Sequence, residues 1–167
     1  MTHWISGILG ARAILSQIAQ QNGLAAPAEL RQGLGFLPLD NENLAALVGV
    51  IHADRPDDAD DGEAFDYLTP ELTRWCAEQS TLGPIAYIET QYHGGTGGQG
   101  AVMFTDGEIS WGPELDEVGP INTVLSLLGS TKIGQLDAFD SVGISRHRMN
   151  DGWRKYPRLD ELADRQI

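Results

Sequence analysis

Thr105-Asp106-Gly107 stands between the apolar runs Ala101-Val102-Met103-Phe104 and Glu108-Ile109-Ser110-Trp111, and no other feature narrows the fold as far. An Asp-Gly pair tolerates the left-handed backbone of a tight hairpin turn, so the two runs are expected as antiparallel neighbours. Residues 85–92, Ile-Ala-Tyr-Ile-Glu-Thr-Gln-Tyr, alternate as a third strand just before them. Three consecutive strands joined in this way make a meander, and a meander commits the chain to an antiparallel sheet.

The rest of the chain supplies helices and two more strands. Residues 4–9 form a short apolar run ended by Gly10. Residues 11–21 place Ala11, Ile14, Leu15 and Ile18 at helical spacing before Asn22-Gly23. Residues 34–39 read as a strand that Pro38 confines to an edge or an end. Asp40 can cap a helix over residues 41–48, and Thr69-Pro70 starts another over residues 70–79. Gly119-Pro120 opens a helix over residues 121–128, and residues 137–142 form a short one stopped by Gly143. The expected class is α+β, an antiparallel sheet of four to five strands with helices packed mainly on one face. At 167 residues the chain is expected to be a single domain, with a compact core over 1–153 and a charged tail over 154–167, helical or partly ordered.

Charge is distributed unevenly. The first 130 residues carry eighteen carboxylates against four arginines, and the last 37 carry six against seven basic residues, giving −14 and +1 and the total of −13. The peak lies at residues 54–66, with seven acids and one base in thirteen positions. Such a field repels nucleic acid and anionic membranes and attracts cationic surfaces. This run is expected to be a solvated loop, because its aspartates and Pro56 offer nothing to bury. No stretch approaches the ~20 apolar residues that span a bilayer. Met1-Thr2-His3-Trp4 passes directly into a strand-like run, without a signal-peptide pattern. Cys76, the sole cysteine, rules out an intrachain disulfide. A cytoplasmic location is expected.

Motifs that would carry chemistry fail on inspection. His93-Gly94-Gly95-Thr96-Gly97-Gly98-Gln99-Gly100 has the glycines of a phosphate loop, but strand residues follow it rather than a helix, and no lysine is near. A wide hairpin connection is the simpler reading. A calcium loop with Gly62 at its sixth position would begin at Asp57 and need oxygen ligands at 59 and 68, which are Ala59 and Leu68. His3, His52, His93 and His147 show no metal-ligand spacing, so no metal and no cofactor are expected. Cys76 sits mid-helix beside Trp75, where burial makes a thiol inert. Arg146-His147-Arg148 could contact an anion, with His147 as general base of a phosphate-ester hydrolase. Pairing with the domain's own carboxylates accounts for the same residues. No catalytic residues are assigned, and the chain is expected not to be an enzyme.

Residues 92–101, Tyr-His-Gly-Gly-Thr-Gly-Gly-Gln-Gly-Ala, carry a family likeness together with Gly119-Pro120-Ile121-Asn122 and Leu127-Leu128-Gly129. Residues 137–144, with Arg146-His147-Arg148 and Trp153, extend it, as do Trp4-Ile5-Ser6-Gly7 and the strand over residues 34–39. In these strings, which span most of residues 1–153, the chain resembles a family of small bacterial immunity proteins of polymorphic toxin systems. Residues 54–66 have no counterpart in that likeness. The resemblance implies an inhibitor that binds and neutralises one cognate toxin with a basic surface, as a monomer or homodimer. The charge suits such a partner, since acidic inhibitors are steered quickly to basic clefts. The expected contacts are Asp57, Asp58, Asp60, Asp61 and Glu63, with Tyr92 and Trp111 as aromatic anchors. A non-catalytic adaptor or regulatory domain is the alternative.

Overall fold

In a computed structural model, residues 2–60 and 63–160 are described. The chain runs β1 (Thr2–His3), β2 (Ser6–Ala11), α1 (Arg12–Gln21), β3 (Ala28–Glu29), β4 (Leu34–Pro38), α2 (Asn41–Val48) and α3 (Pro70–Gln79). It continues with β5 (Ile85–His93), β6 (Thr96–Thr105), β7 (Glu108–Asp116), α4 (Pro120–Leu127), α5 (Ala138–Val142), a 3-10 turn at Ile144–Arg146, and α6 (Asn150–Lys155). The class is α+β. One antiparallel sheet of seven strands is ordered β3-β4-β2-β5-β6-β7, with β1 beside β5.

The meander forms as the sequence predicts. Asp106 and Gly107 take φ of 53° and 87°, both left-handed, as the tight hairpin turn requires. The glycine-rich stretch before it is a correction. It is not a wide connection, because β5 and β6 stay paired up to His93 and Thr96. Only Gly94 and Gly95 make the turn, at φ of 59° and 87°. The remaining glycines lie within β6.

The sheet is wider than the four to five strands expected, and helices cover both of its faces. The reason is visible in β5, where Ile85 and Tyr87 point to one core and Ala86 and Ile88 to the other. Successive side chains in a strand alternate between faces, so a run buried at every position needs cover on both sides. On one face α1, α2 and α3 supply Leu15, Ile18, Leu44, Leu72, Trp75 and Cys76. On the other, α4, α5, the 3-10 turn and α6 supply Ile121, Val124, Leu125, Val142, Ile144 and Trp153.

Local chemistry sets the helix ends. Asp40 Oδ1 accepts from Asn43 N–H at 3.0 Å while Asn43 Oδ1 accepts from Asp40 N–H at 3.2 Å, a reciprocal cap on α2. Thr69 Oγ1 accepts from Leu72 N–H at 3.0 Å, and Pro70 occupies the first turn of α3. The compact body also reaches past residue 153. Glu29 N–H donates to the Pro157 carbonyl at 2.7 Å, and Arg154 pairs with Asp40. The charged tail expected over 154–167 is therefore docked at its start, and its residues 161–167 lie outside the described residues.

Candidate functional site: an acidic rim beside the sheet edge

Residues 54–60 and 63–66 form a loop with exposed acids, as expected, but the loop is anchored. Its C-terminal end is fastened to the sheet. Glu89, in the middle of β5, is buried, and its Oε1 accepts from Asp66 N–H at 3.0 Å and Tyr67 N–H at 2.9 Å. The Asp66 carboxylate in turn accepts from Arg55 and from Gln91 Nε2. Ala53 N–H donates to the Asp66 carbonyl at 2.7 Å, closing the base of the segment. Phe65 packs over β6 at Gly100, where a Cβ would come 2.5 Å from its ring. Glycine at position 100 is what lets the ring settle there.

Arg55, the segment's single base, is spent internally. Besides Asp66, its guanidinium donates to the carbonyls of Ala59 at 2.7 Å and Asp60 at 3.2 Å. Asp60 N–H donates to Glu63 Oε2 at 3.1 Å. Asp57, Asp58, Asp60 and Glu63 stay exposed. The segment thus turns Arg55 and Asp66 inward and leaves Asp57, Asp58, Asp60 and Glu63 facing solvent. Asp61 lies outside the described residues.

The exposed acids gain company that the sequence did not single out. Asp60 and Glu63 share a depression of about 580 Å³ with His93 and Thr96 from the β5–β6 turn and with Leu115, Asp116 and Glu117 from the end of β7. Tyr92, in β5, is half-buried. Its hydroxyl donates to the Glu117 carbonyl and accepts from Gln99 Nε2 at 3.0 Å. Burial raises the phenol pKa, and Glu117 and Asp116 add to the shift against a lowering from Gln99. Tyr92 is thereby tied to the backbone at Glu117. Trp111 lies apart. It pairs with Met103 and packs against the core on the α4 face.

Of the basic trio, Arg146 and His147 meet at Trp153. His147 is fully buried, with Nε2 donating to the Tyr156 carbonyl at 3.0 Å and its ring edge-on to Trp153 at 4.7 Å. The Arg146 guanidinium stacks over Trp153 at 5.0 Å and donates to the Glu29 carbonyl at 3.2 Å. The Arg148 carbonyl accepts from Trp4 N–H at 2.7 Å. A general base must reach its proton, and His147 is sealed in the core; its position lends no support to hydrolysis.

Other buried groups are perturbed. Glu89 has its pKa raised to about 8, chiefly by burial and further by Asp66, against the lowering from its two amide donors. The nearby Tyr87 hydroxyl is pushed well above its ordinary value by burial, and Glu89 adds to that. Burial likewise pushes the Cys76 thiol up. Among the described residues, no three His, Cys, Asp or Glu side chains are grouped to hold a metal ion. No helix among them is long and apolar enough to cross a membrane.

No protein-family model, curated protein or solved structure matches this chain. The site gathers exposed carboxylates around one depression.

Proposed function

We propose that this protein is an immunity-type inhibitor that binds a cognate bacterial toxin in the cytoplasm and blocks it by occupying a basic surface. The observation that carries this reading is the convergence of Asp60 and Glu63 with Asp116 and Glu117 on one depression, with Arg55 turned inward. Carboxylates held in place attract a basic partner without first being ordered, which favours fast association. The same charge repels nucleic acid, so a protein partner suits it better. Such an inhibitor makes and breaks no bonds, and needs no cofactor.

The test is co-expression with the neighbouring open reading frame, followed by affinity capture. The expected result is that the neighbour is toxic alone, harmless with this protein, and recovered with it in a one-to-one complex. A neighbour that is harmless alone, or equally toxic in both settings, overturns the reading.

The adaptor alternative would use the outer edge of β7 for self-pairing. Pro113 lacks an N–H there, and Glu108, Glu114 and Asp116 would bring like charges together. Light scattering is expected to give a concentration-independent monomer.

A further inference from the structure

A second depression adjoins the acidic one and differs from it in chemistry. It is a cleft of about 750 Å³ between α3, the returning end of the acidic segment, and β7. Phe65, Leu68, Ala77, Ile109, Pro113 and Leu115 give it an apolar floor. Ile109 and Leu115 are 44% and 38% exposed, although both belong to a strand of the sheet. The irregular register of β7 sets which face each of its residues meets. Phe104 pairs with Ile109, Met103 with Trp111 and Ala101 with Glu114, so β7 holds two more residues than the matching stretch of β6. Each extra residue reverses the facing of those beyond it. Ile109 and Leu115 therefore reach the α3 face while Trp111 reaches the other. The helix α3 buries Leu72, Trp75 and Cys76 against the inner strands and leaves these two uncovered.

The rim of the cleft is acidic. Asp54, Glu63 and Glu108 border it, and Arg74 is the one base in its lining among the described residues. Glu63 and Leu115 also line the acidic depression, so the apolar floor and the carboxylate surface run into each other. Charge complementarity selects the occupant. An acidic partner segment would be repelled, and a purely basic one would leave the floor wet.

We propose that the cleft between α3 and β7 receives a segment of the partner protein in which large aliphatic or aromatic side chains stand between lysines or arginines. Its apolar residues cover Ile109, Leu115 and Phe65, and its cations lie against Asp54, Glu63 and Glu108. This rests on the protein-binding reading above and gives the contact its chemistry: the apolar centre holds the complex while the charged rim speeds its formation.

The probe is a short capped peptide with a central leucine pair between lysines, titrated into the full chain and followed by NMR. A matching peptide with glycines in place of the leucines is the control. Saturating shifts are expected at the Ile109, Leu115 and Leu68 methyls, with the leucine peptide binding about tenfold more tightly than the glycine one, since burying a leucine side chain is worth on the order of that factor or more. Leu115→Ser is expected to weaken the leucine peptide about tenfold and leave the glycine peptide unchanged. Ile109→Ser repeats the test at a more exposed position, where folding is not at stake. Equal affinity for the two peptides, shifts confined to Asp57, Asp58 and Asp60, or no saturation at millimolar peptide each overturn the proposal. Failure here with a toxin still captured on co-expression sinks the cleft and spares the inhibitor reading. Success here with no toxin neutralised does the reverse.

Discussion

Phe65 rests on Gly100, and a Cβ at that glycine would lie 2.5 Å from the ring and 2.7 Å from Leu115 Cδ2. One missing methyl therefore joins the acidic segment, β6 and β7 at a single point. Gly100→Ala forces all three to adjust. The expected cost is about 1 kcal/mol of stability, toward the low end for an overpacked site because side chains and not backbone must move. Limited proteolysis should cut residues 54–66 faster in this variant while the remaining fragments stay protected.

Glu89 and His3 pull the pH dependence of stability in opposite directions. Glu89 is raised to about 8 from 4.5, so between those values the folded chain holds a proton that the unfolded chain has lost, and stability falls as pH rises. His3 is lowered to about 4 from 6.5, mainly by burial, so in that interval the unfolded chain holds the extra proton and stability rises with pH. Above pH 6.5 only the Glu89 slope remains of the two. Glu89→Gln keeps an oxygen to accept from Asp66 and Tyr67 N–H and carries no charge. Urea midpoints across pH 6.5–8 should fall for the parent and stay flatter for Glu89→Gln, with the variant the more stable at pH 8. Parallel curves would show that the folded carboxyl is already ionised across this range, as it is in the unfolded chain.

Trp153 organises the C-terminal part of the α4 face. It is 1% exposed, meets the Phe36 ring edge-on at 5.6 Å, and has His147 and Arg146 against its indole. Trp153→Ala should cost about 3–5 kcal/mol, a large part of the total for a domain of this size. Chemical denaturation measures it. Trp4→Ala, at a half-buried position, should cost clearly less.

The charged surface makes a kinetic prediction. Replacing Asp60, Glu63, Asp116 and Glu117 by Asn or Gln should slow association with the cognate partner about tenfold or more and change dissociation little. Rising salt should slow the parent in the same way, as the screening length shrinks from about 10 Å at 0.1 M. Stopped-flow mixing at two ionic strengths checks both.

Much of the fold was legible where a residue's chemistry acts locally. Asp40 and Thr69-Pro70 started α2 and α3 as expected, Gly143 ended α5, and Asp106-Gly107 made its turn. The two-residue strands β1 and β3 left no pattern long enough to read, since each exists only through its partner strand. The helix α6 hid behind Gly152, a poor helix former held in place by the burial of Trp153 beside it. Long-range contacts decided the site. Nothing within residues 54–66 announces Glu89, 22 residues or more away, as the acceptor that ties them down. The available signal was Glu89 itself, a lone acid inside an apolar strand, and Phe65, a lone aromatic among acids. Asp116 and Glu117 became part of the acidic surface only when the meander returned them beside the segment.

Helices lie on both broad faces of the sheet, yet β7 stays exposed along most of its length. A partner docked in the cleft proposed above would meet the molecule at its flank, between α3 and the last strand. Contact would then be concentrated on a narrow border, where small changes could redirect the choice of partner while the interior stays as it is.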